Sequence, residues 1–285
     1  MEFLSRIASS KKLPSLPQIL LNLIEVCSRE DSTIDEISQI INSDPPLSAK
    51  VMGMVNSVYY SLPGKVTTIE HAIVLLGTDA VKNIAISSSI YQVFGKVGRD
   101  SAFKMKLFWW HSLMCATMAK LIAERVRNTY TDEAFLSGLL HDIGKLIIWV
   151  HFPEEYADIL RSSEDRPDLL LEGEKRLLGG THCEVGAWMI NQWKLQASMA
   201  EAVLYHHEQV HKIMEASPLA KVIFVANVLS SETLEKNTGY KVAKEVWGFT
   251  PSDVDEMLSQ AREEVKQTAQ LMEIEIESPD ISDRD

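Results

Sequence analysis

The sequence has little cysteine, and this shortage argues against a disulfide-stabilised secreted protein. Its 285 residues contain Cys27, Cys115 and Cys183, which cannot all pair within one chain, and none lies in a CxxC motif. This usage favours a reducing compartment. A metal role is open to Cys115 and Cys183, which lie one helical turn after His111 and directly after His182. We nevertheless interpret both as small buried side chains.

Long apolar runs and an excess of positive charge are also missing. No apolar run approaches the roughly 18 residues of a membrane span, and the start Met1–Arg6 lacks the basic and apolar segments of a secretory signal. The sequence thus predicts a cytoplasmic protein without a membrane partner. Its net charge of −12, with no basic stripe, argues against direct nucleic-acid binding, which depends on Lys and Arg contacts to phosphates. The hydrophobic content of 46% is enough for a sizeable core.

Histidine is the residue type that carries most information here. Five of the eight histidines, with one aspartate, form an ordered series along the chain: His111, His141-Asp142, His182 and His206-His207. Imidazole and carboxylate groups suit divalent ions such as Zn²⁺, Mn²⁺ and Fe²⁺. Intervals of 30, 41 and 24 residues, from 111 to 141 to 182 to 206, allow each position to lie on its own helix and point inward.

The apolar pattern predicts helices throughout. Thr33–Glu36 forms a capping box ahead of an apolar face. Helices are expected over about 102–126, carrying His111, and about 132–150, carrying the His141-Asp142 pair. A further helix over 199–207 has the second histidine pair late in it, and the last core helix spans about 219–229. These elements predict an all-α fold.

Several segments resemble the HDOD family, the HD-related output domain of bacterial signalling proteins. Leu139–Lys145 is similar to the signature of the HD superfamily, and Trp110–Ser112 and His206–Glu208 are similar to its flanking metal-binding helices. Four further segments resemble the N-terminal part of an HDOD domain: Leu13–Pro17, Ser43–Leu47, Val55–Tyr60 and Ala72–Gly77. The resemblance covers residues 13 to about 230.

This resemblance implies an architecture and a regulatory role. The expected fold is an HD-like helical bundle packed with an N-terminal helical subdomain. We predict a boundary near the Gly95–Asp100 seam, which gives an N-terminal helical part at 1–100, an HD-like metal-binding part at 101–250, and a C-terminal helix with an acidic tail at 251–285. Many members of the family are thought to have lost the enzyme site, so activity depends on the residues themselves.

The resemblance also implies roles for individual residues. In an HD phosphohydrolase, metal ions held by histidines and aspartates activate water for attack on phosphorus. The corresponding metal ligands here are His111, His141, Asp142, His182, His206 and His207, followed by Asn227 where the catalytic pattern has an Asp. Asp142 and Lys145 are the candidate catalytic residues. Lys145 either meets a phosphate as a point charge or is a solvated lysine at a helix end.

Two features depart from the catalytic pattern. Asn227 offers a carbonyl oxygen but no charge, and the DGxGYP segment of the HD-GYP enzymes that cleave cyclic di-GMP is absent after His206–Glu208. We therefore expect one or two divalent ions (Fe, Mn, Zn or Ni) in a regulator that couples metal or a phosphate-bearing ligand to a signalling partner. The alternative hypothesis is a phosphohydrolase acting on a nucleotide or cyclic dinucleotide. A third hypothesis is a scaffold whose site binds nothing. The sequence does not specify an oligomeric state.

Overall fold

Helices make up nearly all of the chain that the computed structural model describes. The described residues are 2–9, 17–27, 29, 31–56, 64–95, 103–126, 131–163, 166–231, 234–271 and 276. Within them lie seventeen helices and no strand, so the predicted all-α fold is confirmed. Residues 13–16, 57–60, 96–100 and 277–285, and the side chain of Cys27, lie outside this description.

The helices are numbered in chain order. They are α1 (Glu2–Ala8), α2 (Gln18–Cys27), α3 (Ile34–Asn42), α4 (Pro45–Val55), α5 (Ile69–Leu76), α6 (Thr78–Phe94), α7 (Met105–Arg125), α8 (Thr131–Leu140), α9 (Ile143–His151), α10 (Pro153–Ser163), α11 (Pro167–Leu178), α12 (His182–Gln192), α13 (Ala197–Tyr205), α14 (Val210–Ile213), α15 (Pro218–Ser230), α16 (Lys236–Trp247) and α17 (Pro251–Leu271). None of these helices is both long and apolar enough to cross a bilayer.

The chain forms two compact units, of which the smaller comprises Pro14–Lys96 and Lys266–Glu275. It contains α2 to α6, which pack on one another around apolar side chains such as Leu20, Ile37 and Val51. The capping box predicted at Thr33 is present: its side chain accepts a hydrogen bond from the Glu36 backbone, and the Glu36 carboxylate accepts one from the Thr33 N–H at 3.0 Å. This unit supplies core packing and no residue of the histidine series.

The larger unit comprises Met1–Leu13, Val97–Val265 and Ile276–Asp285. Helices α7 and α15 are buried almost all round, as expected for helices at the centre of a bundle. Helix α15 packs against α7, α8, α13 and α16, and α12 packs against α9 and α13. The histidine series lies on α7, α8, α12 and α13 and at their ends.

Helix α1 belongs to this larger unit although it opens the chain. Phe3 and Ile7 are buried. The Phe3 ring centroid lies 5.9 Å from that of Phe152, and the Arg6 guanidinium stands over the same ring at 4.6 Å.

Two of the predicted helices have wrong boundaries at a pair of adjacent candidate ligands. One breaks at its pair, and the other ends before its pair. The helix expected over 132–150 is two helices, α8 and α9, separated at His141-Asp142, and α13 ends at Tyr205, before His206-His207. Adjacent residues on a continuous α-helix point about 100° apart. Breaking the helix at each pair lets both of its side chains face one centre.

Glycines let the helices that carry the site approach closely. A Cβ atom on Gly138 would lie 2.7 Å from the Ala116 Cα, so α8 meets the backbone of α7 there. A Cβ atom on Gly144 would lie 2.0 Å from the carbonyl oxygen of His182, so α9 meets the first turn of α12. Both contacts lie within a few residues of the histidine series and set the spacing of its helices.

Candidate metal centre

The structure brings the histidine series together around Asp142. Two groups of potential ligands share this aspartate, and within each group the donor atoms all lie within 4.8 Å of one another. We call Asp142, His182, His206 and His207 the three-histidine half of the cluster. We call His111, His141, Asp142 and Asn227 the two-histidine half.

Asp142, His182 and His206 of the three-histidine half are buried, His207 is half-buried, and the half centres on one carboxylate oxygen. Asp142 Oδ1 lies 3.4 Å from both His182 Nε2 and His206 Nε2, and these two nitrogens are 3.3 Å apart. The ring of His207 lies beside that of His206, with centroids 4.2 Å apart and the ring planes tilted by 47°. Neither Asp142 Oδ1 nor His207 Nε2 has a hydrogen-bond partner. Buried polar atoms of this kind normally have one.

Hydrogen bonds to the far side of these rings determine where the lone pairs point. His182 Nδ1 lies 2.8 Å from the Glu174 carboxylate, and His206 Nδ1 lies 2.6 Å from the Val203 carbonyl oxygen. Both partners can only accept, so each Nδ1 carries hydrogen. A neutral ring then presents an unprotonated Nε2, and two such nitrogens face each other beside Asp142 Oδ1. These donors fit a divalent cation placed among them.

The two-histidine half shows a related arrangement. His141 Nδ1 lies 2.7 Å from a carbonyl oxygen one turn earlier, and His111 Nδ1 lies 3.2 Å from the Ser230 carbonyl oxygen. The two Nε2 atoms are 3.2 Å apart. The Asn227 amide nitrogen donates to the His206 carbonyl at 3.0 Å, which leaves its Oδ1 3.0 Å from His111 Nε2. Asn227, which stands where the catalytic pattern has an Asp, therefore lies in the cluster.

Glu174 orients His182 through hydrogen bonds on the side of the ring that faces away from the cluster. Its carboxylate accepts the backbone N–H of His182 at 2.8 Å as well as the ring Nδ1–H, and the Tyr156 hydroxyl donates to it at 2.8 Å. The capping box between Thr181 and Glu184 fixes the same first turn of α12. Carboxylates behind a metal-binding imidazole fix its tautomer and raise its basicity.

Charge and burial shift the pKa values of the cluster in opposite directions. Burial lowers the pKa of His111, His141 and His207. Burial also lowers the pKa of His182, but Cys183 and Glu174 outweigh it and raise that pKa to about 10. The pKa of His206 rises to about 9 because Cys183 and Asp142 outweigh the effect of burial. The surroundings of His182 and His206 thus favour positive charge, which a divalent ion would supply in place of protons.

Lys145 and Cys183 flank the cluster on different sides. Lys145 Nζ lies 2.6 Å from Asp142 Oδ2. Burial raises the pKa of Asp142, but Lys145 and His141 outweigh it and hold this pKa well below its ordinary value. Cys183 is buried, with Sγ 3.9 Å from His206 Nε2. Burial raises the pKa of this thiol, but His182 and His206 lower it to about 6. Cys115 is buried in α7 as a free thiol.

Glu174 and Tyr156 were not predicted from the sequence. The signal for Glu174 is its position on α11, where it shares the buried face with Leu170, Gly173 and Leu178 at helical spacing. A carboxylate at a core position of an amphipathic helix needs a buried partner. That partner is His182.

A family model and solved structures of other proteins agree with this architecture. The family model for the HDOD domain matches residues 13–209 of the chain. The crystal structure of an HDOD domain protein with unknown function from Geobacter sulfurreducens has a TM-score of 0.76 and 25% identity, and the match covers 94% of this chain and 96% of that one. The crystal structure of a candidate phosphohydrolase from Shewanella amazonensis SB2B has a TM-score of 0.74 and 25% identity, with 96% and 97% covered.

A curated relative extends beyond the length of this chain. It is an uncharacterized protein from Treponema pallidum (strain Nichols), 22% identical over 270 residues, which are 93% of this chain and 50% of the relative. The chain therefore spans about half the length of the curated relative that it matches.

Proposed function

The chain belongs to the HDOD domain family, and on that basis we propose that it is a bacterial signalling regulator that binds a divalent transition-metal ion. In this proposal the ion, or a phosphate-bearing ligand beside it, controls the binding of a signalling partner. The observation that carries the proposal is the three-histidine half, where imidazole nitrogens and an unpartnered carboxylate oxygen face one another. Fe, Mn, Zn and Ni ions suit such nitrogen and oxygen donors.

Each residue has a separate part in this proposal. Asp142 Oδ1, His182, His206 and His207 would hold the ion, while Glu174 keeps His182 in the required tautomer. A bound divalent ion supplies a Lewis acid for a phosphoryl oxygen and lowers the pKa of a bound water. The side chains of His111 and Lys145 are 23% and 18% exposed. They mark the side from which a ligand reaches the cluster.

A metal-dependent phosphohydrolase acting on a nucleotide or cyclic dinucleotide is the second candidate. Similarity to the candidate phosphohydrolase from Shewanella amazonensis SB2B favours it. Asn227 counts against it, because a neutral amide does not neutralise the charge of a second ion as a carboxylate would. We therefore place regulation ahead of turnover.

Metal analysis of protein purified without a histidine tag or chelator tests the proposal. We expect near-stoichiometric Fe, Mn, Zn or Ni in the wild type and none in the variant with both His141→Ala and Asp142→Ala, since the latter removes the shared carboxylate. His151→Ala is the matched control, because His151 lies outside both groups of donors. Wild-type protein that holds no metal after supplementation with all four ions would reduce the cluster to a structural feature.

A hydrolysis assay separates the two candidates. We expect the metal-loaded wild type to show little or no hydrolysis of bis-p-nitrophenyl phosphate, nucleotides or cyclic dinucleotides. Efficient hydrolysis that is lost in the His141→Ala and Asp142→Ala variants would put the phosphohydrolase first.

A further inference from the structure

We propose that Lys145 takes the place of a second metal ion as an internal cation, so that the cluster binds one ion and binds it in the three-histidine half. The inference rests on the proposed metal-binding function and specifies the number and position of its ions. It starts from the contact between Lys145 Nζ and Asp142 Oδ2, which are 2.6 Å apart.

The two oxygens of Asp142 have different surroundings. Oδ1 lies between His182 and His206 and has no hydrogen-bond partner. Oδ2 faces the two-histidine half, 3.4 Å from His141 Nε2 and 3.8 Å from His111 Nε2, and it already carries the ammonium group of Lys145. One oxygen therefore remains available to a metal ion while the other is neutralised.

The backbone holds Lys145 near this oxygen. Asp142 precedes α9 as its N-cap, and the Lys145 backbone N–H donates to the Asp142 carbonyl at 2.9 Å, so the two side chains start from one turn. Close packing of Gly144 against His182 fixes that turn. The side chain of Asp142 is only 2% exposed. A carboxylate this deeply buried needs a compensating cation, and losing one is costly.

The two-histidine half offers a second ion little in return for displacing Lys145. Its other donors, His111, His141 and Asn227, are uncharged when they act as ligands. An ion there would share the only carboxylate of the cluster and lie beside an ammonium group. Repulsion between like charges at such distances is large in a buried site. In the three-histidine half the neighbours of the Asp142 oxygen are His182 and His206, which are themselves candidate ligands of the ion.

Loading with Mn²⁺ gives a direct count of bound ions. We expect native mass spectrometry to show one Mn²⁺ per wild-type chain and electron paramagnetic resonance to show an isolated ion. The variant with both Lys145→Met and Asn227→Asp removes the ammonium and supplies a carboxylate, and we expect it to bind two ions. Ions in a two-metal site are about 3.5–4 Å apart, so their spectrum should show magnetic coupling.

Further variants isolate the part played by Lys145. Asn227→Asp alone keeps the ammonium, and we expect it to bind a second ion more weakly than the double variant does. Lys145→Arg keeps the charge and should stay at one ion, which also covers the case in which the neutral variant folds poorly. Lys120→Met is the matched control, because Lys120 pairs with Glu124 on the surface of α7 and should leave the count at one.

The outcomes distinguish this inference from the function on which it rests. Wild-type protein with two coupled ions would overturn the inference and leave metal binding intact. Equal second-ion affinity in Asn227→Asp and in the double variant would also overturn it, since Lys145 would then exclude nothing. Wild-type protein that binds no Mn²⁺, Fe, Zn or Ni would instead overturn the proposed function and this inference together.

Discussion

At the scale of single residues, Glu174 shows how a side chain that touches no ligand can decide whether a ligand is usable. Its carboxylate accepts from the His182 backbone, the His182 ring and the Tyr156 hydroxyl. Three donors to one carboxylate favour its ionised form. The pKa of Glu174 is accordingly lowered, because His182 outweighs the effect of burial. The charge and direction of the His182 ring depend on this residue.

The first residue-scale prediction concerns Glu174→Gln. The new amide presents a donor to groups that themselves donate, so His182 loses its fixed tautomer. We expect metal affinity to fall by about 10- to 100-fold in competition with a chelator. Tyr156→Phe removes one of the three donors and should have a smaller effect. Glu172→Gln, at an exposed position on the same helix, should change nothing, and an equal loss in all three variants would contradict a positioning role.

The order of the histidines identified six residues that the structure places in one cluster, to which the family resemblance added Asn227, and the rarity of histidine explains why this was possible. Five of only eight histidines form the series, so few other combinations of histidines could form a metal site in this chain. Glu174 could not be found in the same way, because acidic residues on helices are common and usually face solvent. The helical spacing of position 174 with Leu170 and Leu178 indicates an inward position, and the packing of α11 shows it.

At the scale of elements, the ends of helices position most of the ligands. His182 is the first residue of α12, His206 directly follows α13, and His141-Asp142 separates α8 from α9. His111 and Asn227 are the candidate ligands that lie within helices, in α7 and α15. Periodicity predicted that the helices exist but not where they break, because apolar residues keep their helical spacing on both sides of each break. The prediction of one long helix over 132–150 was wrong for this reason.

The element-scale prediction concerns Gly144→Ala. A Cβ atom would collide with the His182 carbonyl oxygen and force α9 away from α12. We expect a loss of about 1–3 kcal/mol in the free energy of unfolding, measured by urea denaturation, together with weaker metal binding. Gly53→Ala in α4 is the matched control, because a Cβ there meets nothing within 4 Å. It should stabilise the protein by about 0.4–1 kcal/mol. A neutral Gly144→Ala would show that the helices are not in close contact.

At the scale of the whole molecule, sequence order and packing do not coincide. Residues 2–9 pack with the larger unit, and residues 266–271 near the far end of the sequence pack with the smaller one. A cut at residue 100 therefore separates Phe3 and Arg6 from Phe152. It also removes the C-terminal residues from the smaller unit.

We accordingly predict that residues 1–100 expressed alone are poorly folded. Circular dichroism should show less helix per residue than in the intact chain, and heating should give a broad transition without cooperativity. The intact chain under the same conditions is the reference. A sharp, cooperative transition of the isolated fragment would show that the smaller unit needs neither the C-terminal residues nor a partner for α1.

The close backbone contacts at Gly138 and Gly144 have a consequence for protein engineering. Copying the histidines and Asp142 onto another helical bundle would transfer the chemical groups but not the distances between them. Those distances are fixed where main chains touch, at Ala116 and at His182. A design that reproduces the site in another protein would have to include both glycines and the main-chain segments that they contact. Its minimal unit is thus a set of paired helices and not a set of side chains.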